Sequence, residues 1–301
     1  MERMENDNVK MRKAAPFLVA AASMLWGILF LFVRALSVAG FSAMEIVCIR
    51  AYGSVLFLFP GLFLANRSLL RVRLRDGWCF AGTGVFSIVF FSYCYFRNVE
   101  VSSAAFASIL MYTSPVWVTL FSMLFFKEKM NGKKGLALVM ALVGCVLVSG
   151  VAGGLDNVSV YGILLGLGSG IGYGLYSIFG RFALDRGYHP MTVTAYTFLL
   201  ACVGVLPFVR VSSIIDCFVV RPALLLPALS MALFTTALSF SLYTLGLRHM
   251  EPGRAAVLAT LEPIVTTLVG TFYYKEALTL AMAVGIGLVL AASVTISRVN
   301  T

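Results

Sequence analysis

The chain has 301 residues, 60% of them hydrophobic and only 12% charged, with a mean hydropathy of +0.94 and a net charge of +10. A soluble domain carries about 45–50% apolar and about 25% charged residues, so a single water-exposed globular domain is excluded and lipid is the expected solvent. The basic residues stand singly between apolar runs rather than on one polar module, which excludes a nucleic-acid partner.

Ten spans are predicted in chain order: 15–36, 43–64, 76–97, 102–126, 134–152, 158–180, 190–210, 222–246, 254–274 and 278–297. Each approaches the ~20 apolar residues that a bilayer-crossing helix needs. Before the first lies a segment, 1–14, carrying Lys10, Arg12 and Lys13. The apolar run behind it is too long for a signal peptide and lacks a clear small-residue cleavage site, so 1–14 is expected to be cytoplasmic. With that orientation, 17 of the 23 lysines and arginines fall on the cytoplasmic side, as the positive-inside rule requires. Both termini are then cytoplasmic. The predicted fold is an all-α membrane protein with short loops, which points to a prokaryotic inner (plasma) membrane.

The second half of the chain repeats the first. Tyr95 and Tyr243, Pro115 and Pro263, Thr119 and Thr267, and Lys127-Glu128 and Lys275-Glu276 are all separated by 148 residues. Two five-helix repeats are expected, 15–152 and 158–297. Five crossings is an odd number, so the second repeat should insert upside down relative to the first. Inverted repeats give inward-open and outward-open forms of similar energy, the requirement of alternating access.

These residues carry a family resemblance. Trp26-Gly27, Tyr95-x-x-x-Val99-x-x-x-Ser103-Ala104-Ala105, Ser114-Pro115, Lys127-Glu128, Gly135 and Gly144 form one set. Tyr243-x-x-x-Leu247, Ala255-Ala256, Glu262-Pro263 and Lys275-Glu276 form the other. Over nearly its whole length the chain resembles the drug/metabolite transporter superfamily, and within it the EamA-type ten-helix members. The resemblance implies ATP-independent export or import of small metabolites, often amino acids. One departure is that the family's usual Gly-Glu after the fourth and ninth helices is Lys-Glu here, twice.

Glu262 is the sharpest candidate for a substrate or coupling site. It lies roughly 12 Å into the ninth span at 1.5 Å per residue, close to mid-membrane, where an unpaired charge is costly. Pro263 removes a backbone donor beside it, and Pro115 does the same in the first repeat, so kinks are expected at both. Ser114 takes the place of Glu262 in the first copy, which makes the site asymmetric. The alternative is a protonated Glu262 acting as structural glue between helices. Arg50, inside the second span, offers five donors suited to a carboxylate, or else forms a structural pair with Glu45. Arg34 and Arg97 read as interfacial anchors. Tyrosines 93, 95, 112, 173, 176, 196 and 243 lie within spans, and Trp26, Tyr95, Tyr112 and Tyr243 are the expected cavity wall. Gly162, Gly166, Gly170 and Gly174 recur every four residues, a helix-packing face rather than a phosphate loop.

The six cysteines show neither CxxC pairs nor metal-ligand spacing, and no metal or cofactor is expected. No HExxH or GxSxG motif argues for a membrane-embedded enzyme, and no ring of like polar residues argues for a channel. The leading reading is a secondary transporter for an amino acid or related metabolite, working around a central cavity. A multidrug exporter of cationic amphiphiles is the alternative. A small-molecule substrate and membrane lipid are the expected partners. Proton coupling through Glu262 stays open, as does the choice between monomer and homodimer.

Overall fold

The computed structural model describes residues 2–149 and 159–299, apart from the side chains of 2–8. The expected boundaries at 152 and 158, and most of segment 1–14 as far as side chains are concerned, lie outside the described residues. Among the described residues all regular structure is helical. Nine helices there are long and apolar enough to cross a membrane. In chain order they are α1 (Val9–Val38), α2 (Ala43–Ala65), α3 (Leu74–Val101) and α4 (Ala104–Phe126), then α6 (Val160–Asp185) to α10. The remaining four are α7 (Pro190–Phe208), α8 (Pro222–Arg248), α9 (Pro252–Tyr274) and α10 (Leu280–Ser297). Between α4 and α6 lies α5 (Gly132–Val148), 17 residues long. An unpredicted short helix, Val211–Val220, joins α7 to α8.

Side-chain caps start many of these helices. Ser42 and Glu45 form a reciprocal capping box at α2. Asn131 accepts from the Lys134 N–H at α5, and Thr279 from the Met282 N–H at α10. These two caps are again 148 residues apart. Lys127 and Lys275 end α4 and α9 in the left-handed region, at φ of 55° and 61°. In each copy the next N–H, of Glu128 or Glu276, reaches back six residues to the carbonyl of Ser122 or Gly270, closing the helix end. The turn forms without a glycine, at the cost that a Cβ imposes in this region.

Packing follows the duplication. α1 lies on α8 as α3 lies on α6; α1 touches α9 as α6 touches α4. α2 pairs with α7, and α5 with α10. At the last crossing Gly144 and Gly285 face each other. A Cβ on Gly285 would sit 2.8 Å from the Gly144 carbonyl oxygen, so only glycine allows this approach. The glycines of α6 likewise face α3 and α4: a Cβ at Gly170 would meet Thr113 Oγ1 and the Leu110 carbonyl oxygen, and one at Gly174 would meet Val118.

Three helices are broken where the cavity forms. α1 is interrupted at Ile28. α4 restarts at Ser114, with Pro115 in its first turn, and α9 restarts at Glu262, with Pro263 in its first turn. Two others widen into π-helical turns at matching places, Gly82–Val89 in α3 and Met231–Leu238 in α8.

The two ends of the bundle differ. At one end the opening stretch of α9, Pro252 to Leu261, is buried throughout. It packs on the second half of α4. The counterpart stretch, Ala104 to Thr113, is mostly half-exposed and makes no comparable contact with the second half of α9. The bundle is therefore closed where α9 begins and open where α4 begins.

Candidate functional site

A cavity of about 220 Å³ lies between α1, α2, α3, α4, α6, α8 and α9. Its floor is a buried layer of Trp26, Tyr176, Ser177 and Tyr243. Its walls run past Leu29, Phe30 and Val33 on α1 and Tyr95 and Phe96 on α3, all half-exposed, toward the open end. The break in α9 directs Glu262 into this space. Gly27 lets α1 approach that break: a Cβ there would lie 2.8 Å from the Glu262 carbonyl oxygen. The approach in turn presents Trp26 to the cavity. Thr266 Oγ1 donates to the Gly27 and Glu262 carbonyls, each at 3.2 Å, taking up polarity that the break exposes.

The walls are aromatic. Trp26 stands 4.9 Å from Phe240, 5.2 Å from Tyr243 and 6.2 Å from Tyr173, centroid to centroid. Phe91 meets Tyr173 edge to face at 5.3 Å. Several hydroxyl tips have partners: Tyr243 shares a hydrogen bond with Ser177 at 2.7 Å, and Tyr95 with Ser108 at 3.2 Å. Tyr173 donates to Glu262 Oε2 at 2.7 Å.

Two polar groups remain uncompensated. Arg50 Nε is buried without a hydrogen-bond partner, and so is the indole N–H of Trp26. Among the described residues Arg50 forms no ion pair; its guanidinium stands 5.9 Å from the Phe240 ring centroid. Glu45 does not neutralise it, because that carboxylate accepts from the Ser42 N–H at 2.8 Å. The cavity thus holds an acid and a base that do not pair with each other. A buried guanidinium Nε without a hydrogen-bond partner leaves donor capacity in the cavity unused.

Six residues singled out from the sequence come together here: Glu262, Arg50, Trp26, Tyr95, Tyr112 and Tyr243. Ser114 does not. It is buried and does not line the cavity, although its carbonyl faces Gly174 much as the Glu262 carbonyl faces Gly27. Sequence reasoning misses Tyr173 as a site residue, as well as Phe91, Ser108, Phe240 and Thr266. A mid-membrane acid needs a donor, and that need points to a span tyrosine without saying which one. Arg34 pairs with Glu276 at 3.6 Å and stacks on Tyr274 at 3.8 Å, away from the cavity.

Membrane-length helices around one central chamber, with an aromatic wall and a buried acid and base, define a multi-pass membrane protein. The chain belongs to the EamA-like transporter family, whose pattern matches residues 13–150 and again 160–298. It is a membrane transporter. An uncharacterized transporter of Archaeoglobus fulgidus is 29% identical over 237 residues, 77% of this chain and 83% of that one. A second from the same organism is 26% identical over 88% of this chain and 92% of its own length. The uncharacterized transporter YxxF of Bacillus subtilis is 25% identical over 76% and 73%. One solved crystal structure of a protein superposes with a TM-score of 0.77 over 94% of this chain and 96% of that one. At 17% sequence identity it speaks to the fold alone.

Proposed function

We propose that the protein is a secondary transporter of small zwitterions, an amino acid or a related metabolite, exported without ATP. In this reading the chain makes ten crossings as two inverted repeats, with both termini in the cytoplasm of a prokaryotic cell. Archaeal and bacterial relatives are in keeping with that location. The observation that carries the reading is an acid and a base held apart in one aromatic chamber. Glu262, steadied by Tyr173, faces an ammonium; Arg50 and the Trp26 indole face a carboxylate. The aromatic wall takes an apolar side chain. Alternating access then moves the closed end from one side of this chamber to the other.

The test is saturable counterflow of radiolabelled amino acids in proteoliposomes of purified protein. Glu262→Gln should lower flux at least tenfold, with size-exclusion profile and thermal midpoint retained. Flux that rises linearly with concentration, or that survives both Glu262→Gln and Arg50→Leu, would sink the proposal. A parallel arm uses a quaternary ammonium amphiphile, which needs only the acid and the aromatic wall. If it competes while amino acids do not, the site serves cations instead. Imposing a pH gradient on the same vesicles decides whether a proton is carried in exchange.

A further inference from the structure

We propose that Lys134, clasped between Glu128 and Glu251, is a one-sided latch that holds the α9 end of the cavity shut, and that its release opens the chamber to that side. The proposal rests on the alternating-access reading above and adds a positioning residue to it.

The cluster lies below the cavity floor, at the seam between the two halves of the chain. Lys134, at the start of α5, uses its ammonium on three oxygens. It donates to Glu128 Oε1 at 3.2 Å and to the Lys129 carbonyl at 2.9 Å, and stands 2.6 Å from Glu251 Oε2 as an ion pair. Glu128 also accepts from the Gly253 N–H at 3.2 Å, in the first turn of α9. Two first-half residues thus grip the N-terminus of the helix that carries Glu262. Glu128 and Lys134 are both buried, 9% and 8% exposed, where water does little to weaken the contact. A carboxylate at a helix N-terminus gains further from the helix dipole.

The duplication provides an internal comparison. Shifted by 148 residues, Glu128 becomes Glu276, but Lys134 becomes Met282, Glu251 becomes Ser103 and Gly253 becomes Ala105. Glycine matters at 253 because a Cβ there would stand 2.8 Å from Glu128 Oε1, and Ala105 carries that Cβ. Glu276 instead pairs with Arg34 at 3.6 Å on the surface. So the end that is closed has the cation, both acids and the glycine, and the end that is open has only one of the four. Near-symmetric backbones would otherwise leave the two states close in energy. This unduplicated cluster is the difference that selects which end rests closed.

Removing the ammonium takes away the one group bonded to both Glu128 and Glu251; the nearby buried Arg254 forms no ion pair with either acid, so the tie across the seam is lost and the two carboxylates push it apart. The test reads accessibility and needs no substrate. One cysteine reporter is placed at the open end (Val33→Cys) and one beneath the closed end (Ala256→Cys), where the native alanine is buried. Both are compared with the reporter-free chain, using a membrane-impermeant maleimide applied from each side. With Lys134 intact, the first reacts quickly and the second slowly. Lys134→Met should raise labelling at 256 at least fivefold and lower it at 33, and Lys134→Arg should restore the native ratio. Rates within twofold of native in folded Lys134→Met protein would overturn the latch. If that variant does not fold, Glu251→Gln is read by the same two rates, and rates that stay within twofold of native overturn the latch equally. A latch that shifts labelling in a protein without amino-acid flux would leave this inference standing and remove the substrate assignment; the reverse result would do the opposite.

Discussion

At the scale of single residues, the site depends on charges that the fold isolates. Glu262 can be picked from the sequence because a carboxylate at mid-membrane is expensive and seldom idle. Arg50 is legible for the same reason, but a pair with Glu45 does not form. Glu45 is spent on capping α2, which frees Arg50 for the cavity. Tyr173 emerges only when α6 is docked, since its 2.7 Å bond to Glu262 joins residues 89 apart. A buried hydrogen bond of this length is worth about 1.5 kcal/mol. Tyr173→Phe should therefore raise the apparent KM for counterflow roughly tenfold while maximal flux changes less than about threefold. An unchanged KM would show that Tyr173 only fills space. Ser114, at the repeat offset from Glu262, is buried and is not among the residues lining the cavity, so the duplication alone does not say which copy of a position faces it.

At the scale of elements, sequence legibility varies with the physics of each helix. Apolar length alone locates the long spans, because lipid tolerates no unpaired backbone. The short helix Val211–Val220 escapes notice: Ser212, Ser213 and Asp216 interrupt its apolar run, while Ile214 is buried and Phe218 meets Phe41 at 5.2 Å. The two π-helical stretches are equally hidden, since no residue type announces an extra residue per turn. Glycines can be read as packing positions, but which neighbour each one meets requires the fold. The Gly144–Gly285 crossing is the tightest case to test. A valine at 285 would press on backbone at 2.8 Å, which cannot swing aside. Overpacking of this kind costs about 1–3 kcal/mol, so Gly285→Val should lower the thermal midpoint in detergent. Gly287→Val, whose added Cβ would meet open space, should not. Equal behaviour of the two variants would refute the close crossing.

At the scale of the whole molecule, the duplication governs both architecture and asymmetry. Met130 and Leu278 occupy equivalent, exposed positions just before α5 and α10. If the halves insert with opposite polarity, Met130→Cys and Leu278→Cys should label from opposite sides of the membrane; labelling from one side would remove the inverted arrangement and the alternating-access reading with it. From its sequence alone the chain is determined to be a membrane protein, to consist of two related halves, and to carry an acid, a base and aromatic rings within its spans. Those are matters of composition, hydropathy and spacing, which act locally along the chain. Only the tertiary structure decides that the acid and the base share one chamber without touching, that Tyr173 serves the acid, and that Lys134 ties the halves together at one end. These depend on residues brought together from separate helices, and equivalent positions in a duplicated chain become unequal once the two ends of the bundle pack differently.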